Sequence, residues 1–150
     1  MPAEGPRHVA VLLDNTPDYL FAFGGGAALI GAAIVGLNHT RRGEHLLRDV
    51  THTDCSLVIT EPRHVALLEP VATDLPPVLT SRRFADGDDP DVVLGSLLDD
   101  SLPSSAPDRG VEPDVDSIWG AHLHLGHVRR AEGGDLLAAG GCSSRATACA

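Results

Sequence analysis

Residues 29–61 run Leu29-Ile30-Gly31-Ala32-Ala33-Ile34-Val35-Gly36-Leu37-Asn38, then His39-Thr40-Arg41-Arg42-Gly43-Glu44-His45-Leu46-Leu47-Arg48-Asp49, then Val50-Thr51-His52-Thr53-Asp54-Cys55-Ser56-Leu57-Val58-Ile59-Thr60-Glu61. The stretch predicts a strand, a helix and a strand. Ala32 to Leu37 is a short apolar run that Asn38 ends. Thr40 stands as N-cap of a helix from Arg41 to Thr53, in which Leu46, Leu47 and Val50 make one apolar stripe. Ser56 to Thr60 is the second apolar, β-branched run. Two strands joined through a helix of this length need a crossover connection. They are therefore expected side by side and parallel, in a sheet covered on both faces.

The same alternation extends outward from this unit. Arg7 to Asp14 reads as a buried strand that stops at Asn15. Thr16-Pro17-Asp18 then supplies a hydroxyl cap, a proline at the first helical position and an acid in the first turn. That helix is expected from Pro17 to Leu29, although Gly24-Gly25-Gly26 inside it costs about 1 kcal/mol per glycine. Such a run is tolerable where another backbone packs closely. Pro62 to Val71 reads as a third helix and Val78 to Thr80 as a fourth strand. The predicted class is α/β, with a partial, parallel, Rossmann-like sheet.

Downstream the texture changes. Residues 1–85 form the expected α/β unit and residues 86–119 an acidic linker. From Asp86 to Asp116 there are ten acidic residues against one basic residue, Arg109, with prolines at 90, 103, 107 and 113. Leu94 to Leu98 is the one piece of the linker with the makings of a short helix. Residues 120–150 carry no consistent period, cap or turn chemistry, and are expected to be an unstructured tail.

The chain has 150 residues, enough for one domain with a real core. Its net charge of -10 argues against a nucleic-acid partner, which would call for clustered Lys and Arg. All 11 basic residues are arginine, so no lysine can grip a phosphate, form a Schiff base or serve as general base. The three cysteines, Cys55, Cys142 and Cys149, form no Cys-x-x-Cys pair. With no charged-then-apolar leader at Met1, the chain reads as an untargeted cytoplasmic protein with reduced thiols, peripheral membrane contact being the alternative. Tyr19 to Leu37 is free of charge over 19 residues, close to a bilayer span of about 20. A buried helix followed by a buried strand accounts for it better, so no transmembrane segment is expected.

Several residue groups invite chemistry, and each has a plainer reading. His122, His124 and His127 could meet a metal with Cys142 or Cys149, but a Gly-rich tail offers no rigid scaffold for a ligand set. Gly24-Gly25-Gly26 lies within a helical pattern and lacks the order of a dinucleotide-binding turn. Asp88-Asp89 and Asp99-Asp100 read as solvated loop charges. Cys55 reads as a buried structural thiol. Arg41-Arg42, at a helix start that disfavours cations, reads as a surface pair. No catalytic, cofactor-binding or metal-ligating residue is assigned.

Residues 7–80 resemble the beginning of the adenylate-forming (AMP-binding) acyl-CoA synthetases, above all the fatty acid-CoA ligases of very-long-chain, actinobacterial type. Four blocks carry the likeness in order: Val-Ala-Val-Leu-Leu-Asp-Asn-Thr-Pro-Asp-Tyr-Leu-Phe from Val9, Gly-Ala-Ala-Ile-Val-Gly-Leu-Asn from Gly31, Thr-Arg-Arg-Gly-Glu-His-Leu-Leu-Arg-Asp-Val from Thr40, and His-Thr-Asp-Cys-Ser-Leu-Val-Ile-Thr-Glu from His52. The resemblance implies scaffold of the large N-terminal domain. It also implies the family reaction, in which ATP and a fatty acid give an acyl-adenylate and coenzyme A then forms the thioester. The family's ATP, magnesium and coenzyme A are expected not to be bound by this segment. His39 departs mildly from the small or proline-like residue usual in relatives.

A larger departure follows Trp119, where the family's phosphate-gripping Thr/Ser/Gly loop with its Pro-Lys is missing. Residues 120–138 can be encoded in GC-rich codons that, read one base later, give Ala-Leu-Ile-Phe-Thr-Ser-Gly-Thr-Ser-Asp-Ala-Pro-Lys-Ala-Val-Ile-Cys-Ser. That is the missing loop in the expected place. The wobble bases are free choices, but the outer bases of each shifted codon are largely fixed by the residues present. One extra base after the Trp119 codon suffices, and it makes the histidine cluster an out-of-frame by-product. The expectation is a truncated, frame-shifted fatty acid-CoA ligase, inactive alone. The competing reading is a non-catalytic α/β module that pairs with another chain, or with itself, through an exposed sheet edge.

Overall fold

The computed structural model describes residues 7–26, 31–84, 91–105 and 120–122. The first four strands fall where the apolar runs put them: β1 at His8–Leu12, β2 at Ala33–Gly36, β3 at Cys55–Thr60 and β4 at Val78–Thr80. Two further strands, β5 at Ser96–Leu97 and β6 at Gly120–His122, complete a sheet of order β5-β4-β3-β1-β2-β6. Every neighbouring pair is parallel.

Strand periodicity divides the core between the two faces of this sheet. Ala10 and Leu12 point one way, into a cluster with Leu46, Val50, Val58, Leu68 and Val78. Val9 and Val11 point the other way, towards Ala32 and Ile34, with Tyr19 and Ala22 packed over them. The helices sort accordingly. Helix α1, Pro17–Phe21, covers the Val9 face, whereas α2, Glu44–His52, and α3, Pro62–Leu68, cover the Leu12 face.

Three helices depart from expectation. The first is α-helical only to Phe21 and continues as a π-helix over Ala22–Gly26. Among the described residues, a methyl group at Gly24 or Gly25 would meet nothing within 4 Å, so the glycine run is not explained by a closely packed backbone. The second helix starts at Glu44 and not at Arg41, because Asn38 takes the Thr40 amide and hydroxyl (2.9 and 2.8 Å) into a turn of its own. Thr40 is thus not its cap; the chain enters through Gly43 at φ 50°. The third ends as α-helix at Leu68 and tightens to a 3-10 helix over Glu69–Asp74.

The acidic segment and the tail also hold more order than expected. Within 91–105 lie β5 and a short helix α4, Leu98–Ser101, so Leu94 to Leu98 leads into a strand before any helix forms. Thr80 anchors it, donating its hydroxyl to the Leu94 carbonyl (2.8 Å) and accepting from the Leu94 amide (3.0 Å). The first three residues of the predicted tail form β6, in register with β2 from Ile34↔Gly120 to Gly36↔His122.

Candidate functional site

The strand order fixes where a site can lie. From β1 the chain leaves towards β2 through α1 on one face. From β3 it leaves towards β4 through α3 on the opposite face. The segments following β1 and β3 therefore part, and a crevice opens between the carboxyl ends of these adjacent strands, the usual place for ligands in open α/β sheets. A cleft of about 460 Å³ lies there, lined by residues that include Asp14, Asn15, Thr16, His39, Glu61 and Arg63.

Polar side chains converge on this crevice from segments 47 or more residues apart. The Asp14 amide donates to Glu61 Oε1 at 3.0 Å, tying the end of β1 to the end of β3. His64 Nε2 lies 2.9 Å from Asp14 Oδ1 and 3.4 Å from Glu61 Oε1. Arg63 donates to the other Asp14 oxygen, Oδ2. The His39 ring stacks on that of His64, with centroids 5.8 Å apart and planes at 16°. Glu61 and His64 are buried, with side chains 5% and 8% exposed, while Asp14 faces the cleft at 34%. The hydrogen bond from His64, outweighing partial burial and helped by Arg63, holds the Asp14 carboxyl below its ordinary range.

Chemically, this is an imidazole between two carboxylates, backed by one guanidinium. It can hold a proton or a cation, and it contains no thiol or serine nucleophile. Among the described residues, Asp14, Glu61 and His64 are the one group of His, Cys or carboxylate side chains whose donor atoms converge, all within 4.8 Å of one another. Sequence reasoning missed the group because its members are distant along the chain. The available signal was an acid just beyond the apolar run of each of two strands, Asp14 and Glu61.

The residues singled out in sequence lie elsewhere. Arg41 is not a surface residue: it is 13% exposed and pairs with Asp49 at 3.1 Å, the latter 6% exposed. Arg42 donates to the His39 and Arg41 carbonyls. Cys55 is half-buried, its Sγ 3.1 Å from Thr53 Oγ1, and burial pushes its thiol up, away from nucleophilic use. Asp99 pairs with Arg83, and Asp100 is exposed. Of the histidine cluster, the backbone of His122 belongs to β6. Asp88, Asp89, Arg109, His124, His127, Cys142 and Cys149 lie outside the described residues. No helix among the described residues is long and apolar enough to cross a membrane.

No protein-family profile matches the chain. It is similar to the steroid-22-oyl-CoA synthetase of Rhodococcus jostii, 42% identical over 109 residues, which are 73% of this chain and 19% of that protein. It is also similar to the medium/long-chain-fatty-acid–CoA ligase FadD17 of Mycobacterium tuberculosis, 49% identical over 55 residues, covering 37% of this chain and 11% of the other. The chain thus matches about a fifth or less of the length of these relatives. Among solved structures, an acyl-CoA synthetase of Brucella canis shares the fold, with a TM-score of 0.59 at 22% identity over 84% of this chain and 22% of that one.

Proposed function

This chain is a homologue of part of the acyl-CoA synthetases and fatty-acid–CoA ligases, and from that premise we propose that it is the scaffold of a fatty-acid–CoA ligase without the groups that perform ligation. The observation that carries this reading is the 42% identity over 109 residues to a CoA synthetase. The ligation chemistry would be activation of a carboxylic acid by ATP to an acyl-adenylate, followed by transfer to coenzyme A. Anionic phosphates in such a reaction need backbone amides, hydroxyls and a cation. The 150 residues contain no lysine, and after Trp119 the phosphate-gripping loop is replaced by residues that GC-rich codons, read one base later, would turn into that loop.

On this reading the chain alone binds neither ATP, magnesium nor coenzyme A productively. It resides in the cytoplasm, and its net charge of -10 works against contact with anionic lipid. Pyrophosphate release with ATP, magnesium and long-chain fatty acids should equal a no-protein control. Turnover above that control would overturn the proposal.

A second reading, a module that pairs with itself or another chain, draws on one observation. Leu20, Phe21 and Phe23 on the first helix are 70%, 59% and 37% exposed, and apolar side chains grouped in this way favour association. Analytical ultracentrifugation of the chain and of its Leu20→Ser/Phe21→Ser variant tests it. Self-association that the variant loses is the expected result; a monomer at all concentrations, with no binding to a full-length ligase, would contradict it.

A further inference from the structure

The three converging donors at the carboxyl ends of β1 and β3 have a use that ligase ancestry does not supply. We propose that Asp14 Oδ1, Glu61 Oε1 and His64 Nε2 bind one divalent cation of the zinc class. The inference is independent of the ligase reading, because it concerns cation binding by this chain alone.

Geometry is the first support. His64 Nε2 stands 2.9 Å from Asp14 Oδ1 and 3.4 Å from Glu61 Oε1. With metal–ligand bonds of about 2.0–2.1 Å, the edge of a coordination tetrahedron is about 3.3 Å. These two separations lie either side of that value, and all three donor atoms lie within 4.8 Å of one another, so modest adjustments bring them around one ion. Zinc sites that keep a fourth position open use three protein ligands of this kind. Here the open direction is the cleft in front of Asp14, where water or an anionic ligand completes the sphere.

Rigidity and supporting contacts are the second. Two of the ligands are buried; Asp14 and Glu61 follow the ends of strands that pair directly with each other, and His64 sits in the first turn of α3. Each ligand is held by a second contact. Arg63 donates to Asp14 Oδ2, and the Asp14 amide donates to Glu61 Oε1, which keeps a second lone pair for the ion. The His39 ring fixes the plane of His64 by stacking. Such outer contacts commonly orient metal ligands.

Charge and donor type are the third. Two carboxylates face one guanidinium, so the group carries surplus negative charge that a divalent cation offsets. An imidazole nitrogen with two carboxylate oxygens suits zinc or its neighbours in the transition series, whereas calcium and magnesium prefer all-oxygen shells. A proton on His64, bridging the two acids, is the competing occupant of the same space.

Cobalt(II) titration of the chelator-treated full chain separates the two, with zinc as competitor. A background carrying His122→Ala, His124→Ala, His127→Ala, Cys142→Ser and Cys149→Ser removes the tail donors. The expected result is one equivalent bound in that background, with visible d–d absorption and no thiolate charge-transfer band. Asp14→Asn, Glu61→Gln and His64→Gln should each weaken binding by about tenfold or more, and Asp99→Asn should leave it unchanged. Where a variant fails to fold, the ¹⁵N resonances of His64 in the unmodified site are read instead, and zinc should shift Nε2. Loss of all binding with the tail donors, unchanged affinity in Asp14→Asn and Glu61→Gln, or an Nε2 resonance indifferent to zinc would each overturn the proposal.

Discussion

Arg41 and Asp49 form the most consequential ion pair away from the cleft, because both are largely withdrawn from water and the pairing is incomplete. Arg41 Nε and Asp49 Oδ2 are buried and have no hydrogen-bond partner among the described residues. Burial, ahead of the opposing pull of Arg41, raises the Asp49 carboxyl above its ordinary 3.8. Removing the arginine strands a buried carboxylate, so Arg41→Met should cost about 3 kcal/mol at neutral pH. With the folded-state pKa above the unfolded one, folding takes up a proton in the window between them. Stability contributed through Asp49 therefore rises as pH falls from the folded value towards 3.8, and the deficit of Arg41→Met should shrink there. Urea denaturation at neutral pH and at about pH 4.5 measures this; a deficit that grows on acidification would contradict it. Asp14 works in the opposite sense. Its carboxyl is lowered, so its contribution is complete above 3.8 and is lost as pH falls through the folded value. Sequence reasoning put Arg41 on the surface because helix starts repel cations. Helix α2 begins at Glu44, however, so Arg41 lies in the preceding turn with its side chain on Asp49.

Glycines separate what each element needs from what it tolerates. Gly95 sits at φ 72°, and a Cβ there would come within 2.2 Å of the Val78 carbonyl oxygen. No side chain fits without moving β4, which holds β5 in register at Leu79↔Ser96. Gly95→Ala should destabilise by about 1–3 kcal/mol, with amide exchange faster at Ser96 and Leu97; unchanged exchange there would count against the account. Gly24 and Gly25 are the converse, helical and with open space around them. Alanine at either should stabilise by about 0.4–1 kcal/mol, read as a raised thermal midpoint, and a lowered midpoint would reveal a close contact there. The four main strands were legible because Val, Ile and Leu runs end at Asn15, Asn38 and Glu61. Strand β5 was not, since Ser96-Leu97 carries no strand pattern and is held by Thr80 and by the turn at Gly95. Strand β6 was hidden for a related reason: a parallel ladder is made by backbone amides and carbonyls, which Gly120-Ala121-His122 supply as well as any residues. The cleft was illegible because topology, and not proximity in sequence, brings Asp14 to Glu61 and His64.

Taken as a whole molecule, the described residues have the sheet topology of an acyl-CoA synthetase, and the chain is similar in sequence to about a fifth of one. A six-stranded parallel sheet with helices on both faces gives a crevice at the β1/β3 switch. Phosphate chemistry needs more than a crevice, and the proposed frame break would place the required loop one base out of frame across residues 120–138. Reading the nucleotide sequence from the Trp119 codon onward, on freshly isolated DNA, tests this most directly. The account predicts that the frame one base later gives Ala-Leu-Ile-Phe-Thr-Ser-Gly-Thr-Ser and continues as an adenylate-forming ligase. A downstream sequence with no such open frame would contradict it and leave ligase ancestry without a ligase to belong to.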